Sequence, residues 1–386
     1  MNFKELFLLR PDMTFLTHGS FGACPRPVFA TYQAWQRELE AQPVEFLGRR
    51  FNGLLAEARS RLAAFVGAGA NDVVFVPNAT TGVNIVARSL ALQPGDEVLA
   101  TDHEYGASDR TWRLLCRKQG AIYINRPLPL PVTTPESVLE QLWAGVTPRT
   151  RVIFISHITS PTALTWPVAA ICQRARAAGI LTVVDGAHAP GQIALDLSSL
   201  GANFYTGNCH KWLCAPKGAA FLFARPAVQH LIEPLIISWG WESEKPGQSR
   251  FIDYLEWTGT HDIAAYLSVP AAIDFQAAYA WDSVRRSCHA LVAQARQQVN
   301  ALTGLAPICP DTGDWFAQMA AMRLPPCDTE SLKERLWQEW QIEVPIITWN
   351  QTPLLRISIQ AYNDEADLAR LIDALRHVGL HEPVAS

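Results

Sequence analysis

A carboxylate and an amine placed to share one crevice are the first chemistry this sequence sets up. Asp185 closes the apolar run of VVDGAHAPGQ, and Lys211 follows 26 positions later in FYTGNCHKWLCAPKG. Each ends an expected strand, and neighbouring strand ends of one sheet open onto the same crevice. A lone strand-end aspartate more often caps a turn, and a lone lysine is more often solvated. The flanks of Lys211, however, are Cys209, His210, Trp212 and Leu213. Partial desolvation there lowers the amine's pKa and makes it nucleophilic toward a carbonyl, so Schiff-base chemistry is its natural use. A metal site on Cys209, His210 and Cys214 is the weaker rival, because no C-x-x-C pair accompanies it and free cysteines commonly serve as small core residues.

Other polar residues gather at further strand ends. In PNATTGVNIVA, Ala79, Thr80 and Thr81 open a helix after a strand, where free amides and hydroxyls suit a phosphate; a plain N-cap by Asn78 or Thr80 is an equal alternative. The GAGAND stretch at 67–72 is a poor phosphate signal, since a strand rather than a helix follows it. Tyr105, in TDHEYGASDR, is either packing or an aromatic face for a flat heterocycle. ISHITSPTALTWP adds His157, Thr159, Ser160 and Thr162, too dense a polar group for a simple turn. Arg356, in LLRISIQAYN, is either a surface strand residue or a bidentate grip for a carboxylate.

The elements that must position these groups read as an α/β protein. From residue 70, short β-rich runs alternate with helical patterns (VVFVPN then ATTGVNIVARSLAL; RVIFISHI then PVAAICQRARAAG), the rhythm of βαβ units around a mostly parallel sheet of about seven strands. RPLPLPVTTP and ISWGWESEKPGQ read as an extended connection and a long loop. After residue 262 the pattern turns helical and then to short strands, a smaller α+β unit. The expected division is an arm over 1–20, a large domain over 21–261 and a small domain over 262–386.

Composition narrows the partners. The chain has 386 residues, 49% of them hydrophobic, and a net charge of −4, with its basic residues scattered, which argues against nucleic acid or an anionic membrane and for a small molecule. Glu5, Arg10 and Asp12 interrupt the first apolar run, and no stretch approaches the roughly 20 apolar residues of a membrane helix. Eight cysteines without a framework point to reduced thiols and a cytoplasmic protein.

The words NATTGVN, DHEYGA, SHITSPT, DGAHAPGQ, TGNCHKW, TGTHD and RISIQAYN occur in the order found in pyridoxal-phosphate enzymes of fold type I. Over roughly residues 14–370 the chain resembles their class V aminotransferase group, most of all its isopenicillin N epimerase-like and carbon-sulfur lyase branches. The resemblance implies pyridoxal 5'-phosphate as cofactor, held covalently by Lys211, with Asp185 on the pyridine N–H. It implies His188, with Ser160 or Thr162, at the phenolic oxygen, and Tyr105 stacked on the ring. It assigns the phosphate to Ala79, Thr80, Thr81, Asn208 and His210, together with Thr260 from the neighbouring subunit of a homodimer. It gives Arg356 the substrate carboxylate.

The same resemblance implies an amino-acid or amino-acid-like substrate and a reaction that begins with removal of the Cα proton by Lys211. Epimerisation and β-elimination of a sulfur leaving group share that step, and transamination is a further alternative. A non-catalytic binding or regulatory descendant is the reading from another class. Cysteine desulfurases of the family carry a cysteine shortly before the substrate arginine; here EVPIITWNQTPLLR has none and Cys327 is far upstream, so persulfide transfer is not expected. Relatives often have asparagine where Ser160 stands. His18, Trp239, Trp241, Trp349 and Asn350 are candidates for the substrate entrance, against the plain alternative of packing.

Overall fold

The structure is a computed structural model that describes residues 3–311 and 315–379. Its strands are β1 (Thr14–Phe15), β2 (Val73–Val76), β3 (Glu97–Thr101), β4 (Ile122–Arg126), β5 (Thr150–Ser156), β6 (Leu181–Asp185), β7 (Phe204–Asn208), β8 (Ala220–Ala224), β9 (Met319–Arg323), β10 (Ile342–Glu343), β11 (Ile346–Trp349) and β12 (Thr352–Ser358). Seven of them form one sheet in the order β2-β8-β7-β6-β5-β3-β4. Only β8 runs against the rest, so the mostly parallel seven-stranded sheet expected from the βαβ rhythm is present.

The sequences of these strands follow from where they lie. β7 (FYTGN) is buried throughout, and β5 (TRVIFIS) at every position but one, as central strands must be when helices cover both faces. β4, at the sheet edge, is partly exposed along its length and ends in Arg126. One apolar layer joins Val76, Val86, Trp112, Phe154 and Phe204 beneath the helices Ala79–Ser89 and Gly106–Gln119. The opposite face packs Leu99, Ile153, Ile155, Val184 and Phe221 into the larger core. Gly82 lets the first of these helices press against β7, because a Cβ there would lie 2.2 Å from the Thr206 hydroxyl.

A second, antiparallel sheet has the order β11-β12-β9 and is covered by the helices Trp281–Thr303 and Thr329–Trp340. The N-terminal segment is stitched to it: β1 pairs in parallel with β10, and the Ser358 amide donates to the Leu16 carbonyl. The short helices Ala264–Leu267 and Val269–Ala278 instead lie against the helices Arg26–Ala41 and Phe51–Val66. Among the described residues, no helix is long and apolar enough to cross a membrane.

The chain reverses its direction of travel across the main sheet between β3, whose next strand is β4 on one side, and β5, which lies on the other. Crevices at the carboxyl ends of strands near such a reversal are where open α/β sheets bind ligands.

Candidate active site

A cleft of about 380 Å³ opens at these strand ends, within the size range of small-molecule sites. Asn78 follows β2, Tyr105 follows β3, Ser156 ends β5, Asp185 ends β6, Asn208 ends β7, and Lys211 stands three residues beyond.

Lys211 is half-buried, and its Nζ lies 3.2 Å from His188 Nε2. Burial, with the Arg356 charge added, pulls its pKa down to about 7 against the opposing pull of Asp185. An amine so poised is substantially unprotonated at neutral pH. Its backbone is fixed from several sides. The Lys211 carbonyl accepts from His18 Nε2 at 2.9 Å, and the Trp212 carbonyl accepts from Gln276 Nε2 at 2.8 Å. Gly191, at φ +86°, allows a contact that a side chain would block, since a Cβ there would sit 2.4 Å from the Trp212 carbonyl oxygen.

Asp185 is buried, with Oδ1 accepting from the Ala187 amide at 3.0 Å and Oδ2 from the Ser108 hydroxyl at 3.2 Å. Burial pushes its carboxyl up, opposed by these bonds and by the Lys211 charge. Two neutral donors leave lone pairs on a buried carboxylate, which favours a cationic N–H partner. Asn78 caps the helix Ala79–Ser89 by accepting from the Thr81 amide at 2.9 Å, and Asn208 Oδ1 takes the Ala79 amide at 2.9 Å. That leaves the amide of Thr80, second in the helix and on the cleft wall, without an intrahelical partner, as suits an anion. His210 Nδ1–H donates to the Ala219 carbonyl at 3.1 Å, and burial pulls this histidine down to about 4. A bound anion would raise that value and turn Nε2 into a donor.

Arg356 is buried, and each of its protein partners is neutral. Nη1 donates to the Ser160 carbonyl at 2.5 Å and to Ser160 Oγ at 3.2 Å, Nη2 donates to Ser20 Oγ at 3.2 Å, and Nε has no partner among the described residues. Burial pulls its pKa well below the usual guanidinium range, to about 10. A buried guanidinium with an unused donor and no carboxylate bonded to it is arranged to receive one.

Residues 22–371 match the family "Aminotransferase class-V". The chain belongs to that family. It is therefore a pyridoxal-phosphate-dependent enzyme, and an amine, a buried carboxylate with spare lone pairs, a helix N-terminus and an open guanidinium fit that cofactor and an amino-acid carboxylate. Within the family the chain is 39% identical to the isopenicillin N epimerase of Amycolatopsis lactamdurans, over 98% of each chain. It is 28% identical to a probable chloroplastic L-cysteine desulfhydrase of Arabidopsis thaliana, over 95% of this chain and 82% of that one. The fold matches the cystine C-S lyase C-DES, solved in complex with its reaction product cysteine persulfide, at a TM-score of 0.84 and 21% identity, covering 97% and 99% of the two chains.

The other candidates from the sequence divide between cleft and scaffold. Tyr105, Ser160, His188, Asn208 and His210 line the cleft with Ala79 and Thr80. Thr81 stands beside them but spends its amide and hydroxyl on Asn78. Thr162 is buried, bonded to His103 Nδ1 and Thr159 Oγ1, each at 2.8 Å. His18, fully buried, braces the Lys211 carbonyl and meets the Tyr362 hydroxyl at 2.9 Å instead of lining an entrance. Thr260 and Trp239, the latter beside a separate pocket, are exposed and outside the cleft lining of their own chain, and the half-buried Trp241, packed on Tyr254, lies outside it as well. Ser108, Ser20 and Trp212 complete the site, and no feature of their local sequence announces them.

Trp349 and Asn350 clasp the loop that carries Tyr105. Trp349 Nε1 donates to the Asp102 carbonyl at 2.9 Å, and Asn350 Nδ2 donates to Asp102 Oδ2 at 2.6 Å. The β11–β12 hairpin reaches that far through a tight turn in which Asn350 and Gln351 both take positive φ. Asn350→Ala is expected to loosen the Tyr105 loop and lower kcat by about fivefold, the value of one such hydrogen bond. Cofactor affinity should be unchanged in a titration of the visible band, and a drop in affinity instead would refute the assignment.

Proposed function

We propose that this enzyme acts at the α-carbon of an amino acid or amino-acid-like substrate and that the reaction is epimerisation. Pyridoxal phosphate, when bound, lowers the barrier to breaking a Cα bond by spreading the resulting charge into its ring. Lys211 would hold the cofactor covalently, Asp185 would pair with the ring nitrogen, and Ala79, Thr80, Thr81, Asn208 and His210 would hold the phosphate. His188 and Ser160 would lie on the phenolic side and Tyr105 on a ring face, while Arg356 would take the substrate carboxylate. Lys211 Nζ, as a free amine, would remove the Cα proton.

The observation that carries the reading is a cleft lysine whose amine is pulled down to about 7, beside a buried guanidinium that bonds the cleft residues Ser20 and Ser160 and has no carboxylate partner among the described residues. Inversion at Cα needs a second proton donor facing Lys211. Tyr105 follows β3 and Lys211 follows β7, with β6 and β5 between them, so the two approach the cleft from opposite sides. The isopenicillin N epimerase similarity, close to full length at 39%, supports inversion; the desulfhydrase similarity supports C–S β-elimination as the second reading.

Incubation with single-enantiomer amino acids in deuterium oxide separates the two. Inverted product carrying deuterium at Cα, without keto acid, is the expected result. Pyruvate and ammonia without inversion would replace epimerisation by elimination.

We also propose a homodimer in which the exposed Thr260 reaches the neighbouring cofactor phosphate, with the division 1–20, 21–261 and 262–386 describing each subunit. Eight unpaired cysteines, seven of them buried, fit a reducing compartment such as the cytoplasm.

A further inference from the structure

Lys211 faces a histidine whose own proton is placed by a third residue. Trp212 is fully buried, and its indole Nε1–H donates to His188 Nδ1 at 3.3 Å. An indole nitrogen only donates, so Nδ1 must present its lone pair. Desolvation, with the charge of Arg356 added, holds His188 well below the usual histidine range, so the ring is neutral. A neutral ring that accepts at Nδ1 carries its hydrogen on Nε2. That hydrogen points at Lys211 Nζ, 3.2 Å away. An ammonium there would set two hydrogens between two nitrogens, whereas a free amine offers a lone pair.

The indole cannot easily turn away from this bond. Its ring lies 5.0 Å from that of His18, and a Cβ on Gly19 would meet its edge at 3.3 Å. The remaining ionisable groups facing the Lys211–His188 pair are Asp185, which favours the ammonium, and Arg356, His18 and His210, which do not.

We propose that Trp212 is a positioning residue: its indole N–H fixes His188 as the Nε2–H tautomer, and that tautomer holds Lys211 as a free amine facing the cleft. The inference rests on the reading of Lys211 as the cofactor-binding lysine, and it extends the site to a residue that touches neither cofactor nor substrate.

The test uses the full chain labelled with ¹⁵N-histidine, with and without pyridoxal phosphate. In the cofactor-free protein the His188 signals should report a protonated Nε2 and a bare Nδ1. Trp212→Phe keeps the ring and removes the donor. Its His188 signals should move toward a mixture of tautomers, and the Lys211 pKa, read from the pH dependence of its reductive methylation, should rise by about one unit, the scale of a single hydrogen bond. In a His188→Gln background the same Trp212 change should leave Lys211 unmoved.

An Nδ1–H or doubly protonated His188 in the unaltered protein overturns the proposal without any variant, so a misfolded Trp212→Phe would not shield it. Unchanged tautomer and Lys211 titration in a folded Trp212→Phe overturn it as well. Borohydride fixation of a yellow band in the unaltered protein reports separately on the Schiff-base reading. A fixable band with an unresponsive Lys211 sinks only the tautomer proposal, and the absence of a band sinks the reading beneath it.

Discussion

Lys211→Ala is expected to abolish covalent cofactor fixation and to lower turnover by about 10³-fold or more, within the range lost with a general base and extended by loss of the covalent anchor. Purified protein should show a yellow band that borohydride fixes to the chain, and the variant should bind the cofactor without being fixed by reduction. A variant fixed as fully as the unaltered enzyme would assign the Schiff base to another lysine. Lys217, the other lysine near the site, is already bonded to the Gly22 carbonyl at 3.0 Å.

The same variant carries a stability signature of the opposite sign. The Lys211 amine has a pKa of about 7 in the folded protein against 10.5 when solvated. Between these values the unfolded chain binds the extra proton, so cofactor-free protein gains stability as pH rises through this window. The destabilising contribution is fully developed below about pH 7 and gone above about 10.5. Lys211→Ala should therefore melt higher than the unaltered apoprotein at pH 7, with the difference shrinking toward pH 10.5. A difference that grows with pH would mean the lysine is ion-paired in the folded state.

Asp185 was legible because it ends an apolar run, and Lys211 because it follows the end of the next strand by three residues, and polar residues at those places in an α/β pattern face the crevice whatever the details of packing. The sheet was legible for a related reason: VIFI in β5 and VV in β6 are short β-branched and aromatic runs bounded by polar residues, the pattern of buried strands. What sequence could not give were contacts decided by side-chain direction across long separations. His18 sits in a polar THGS stretch that suggests a loop at the entrance, yet its partners are 193 and 344 residues away and bury it. Trp349 and Asn350 precede Arg356 in sequence, but a two-residue turn sends them to the Asp102 loop instead. Trp212 reads as an apolar flank of Lys211; its N–H matters only because His188 is folded against it.

Arg356 carries the second large effect, and two measurements should move in opposite directions. A guanidinium taken out of water and bonded only to hydroxyls and a carbonyl costs the fold more than a well-packed apolar side chain. Its lowered pKa expresses the same cost. Arg356→Met should accordingly keep or raise the melting temperature of the cofactor-free protein. Removing the charged partner of a buried carboxylate costs about 2–5 kcal/mol, so KM for an amino-acid substrate should rise by roughly 10²-fold or more. Arg356→Lys keeps the charge but loses the planar fork that meets both carboxylate oxygens, and its KM should fall between the two. Substrate esters, which lack the carboxylate charge, should discriminate little between the unaltered enzyme and Arg356→Met. A variant that melts lower while KM stays unchanged would mean that Arg356 holds the Ser20 and Ser160 loops together and leaves the carboxylate to another group. The unused Nε and the absence of an acidic partner among the described residues are what make the opposite outcome the expected one.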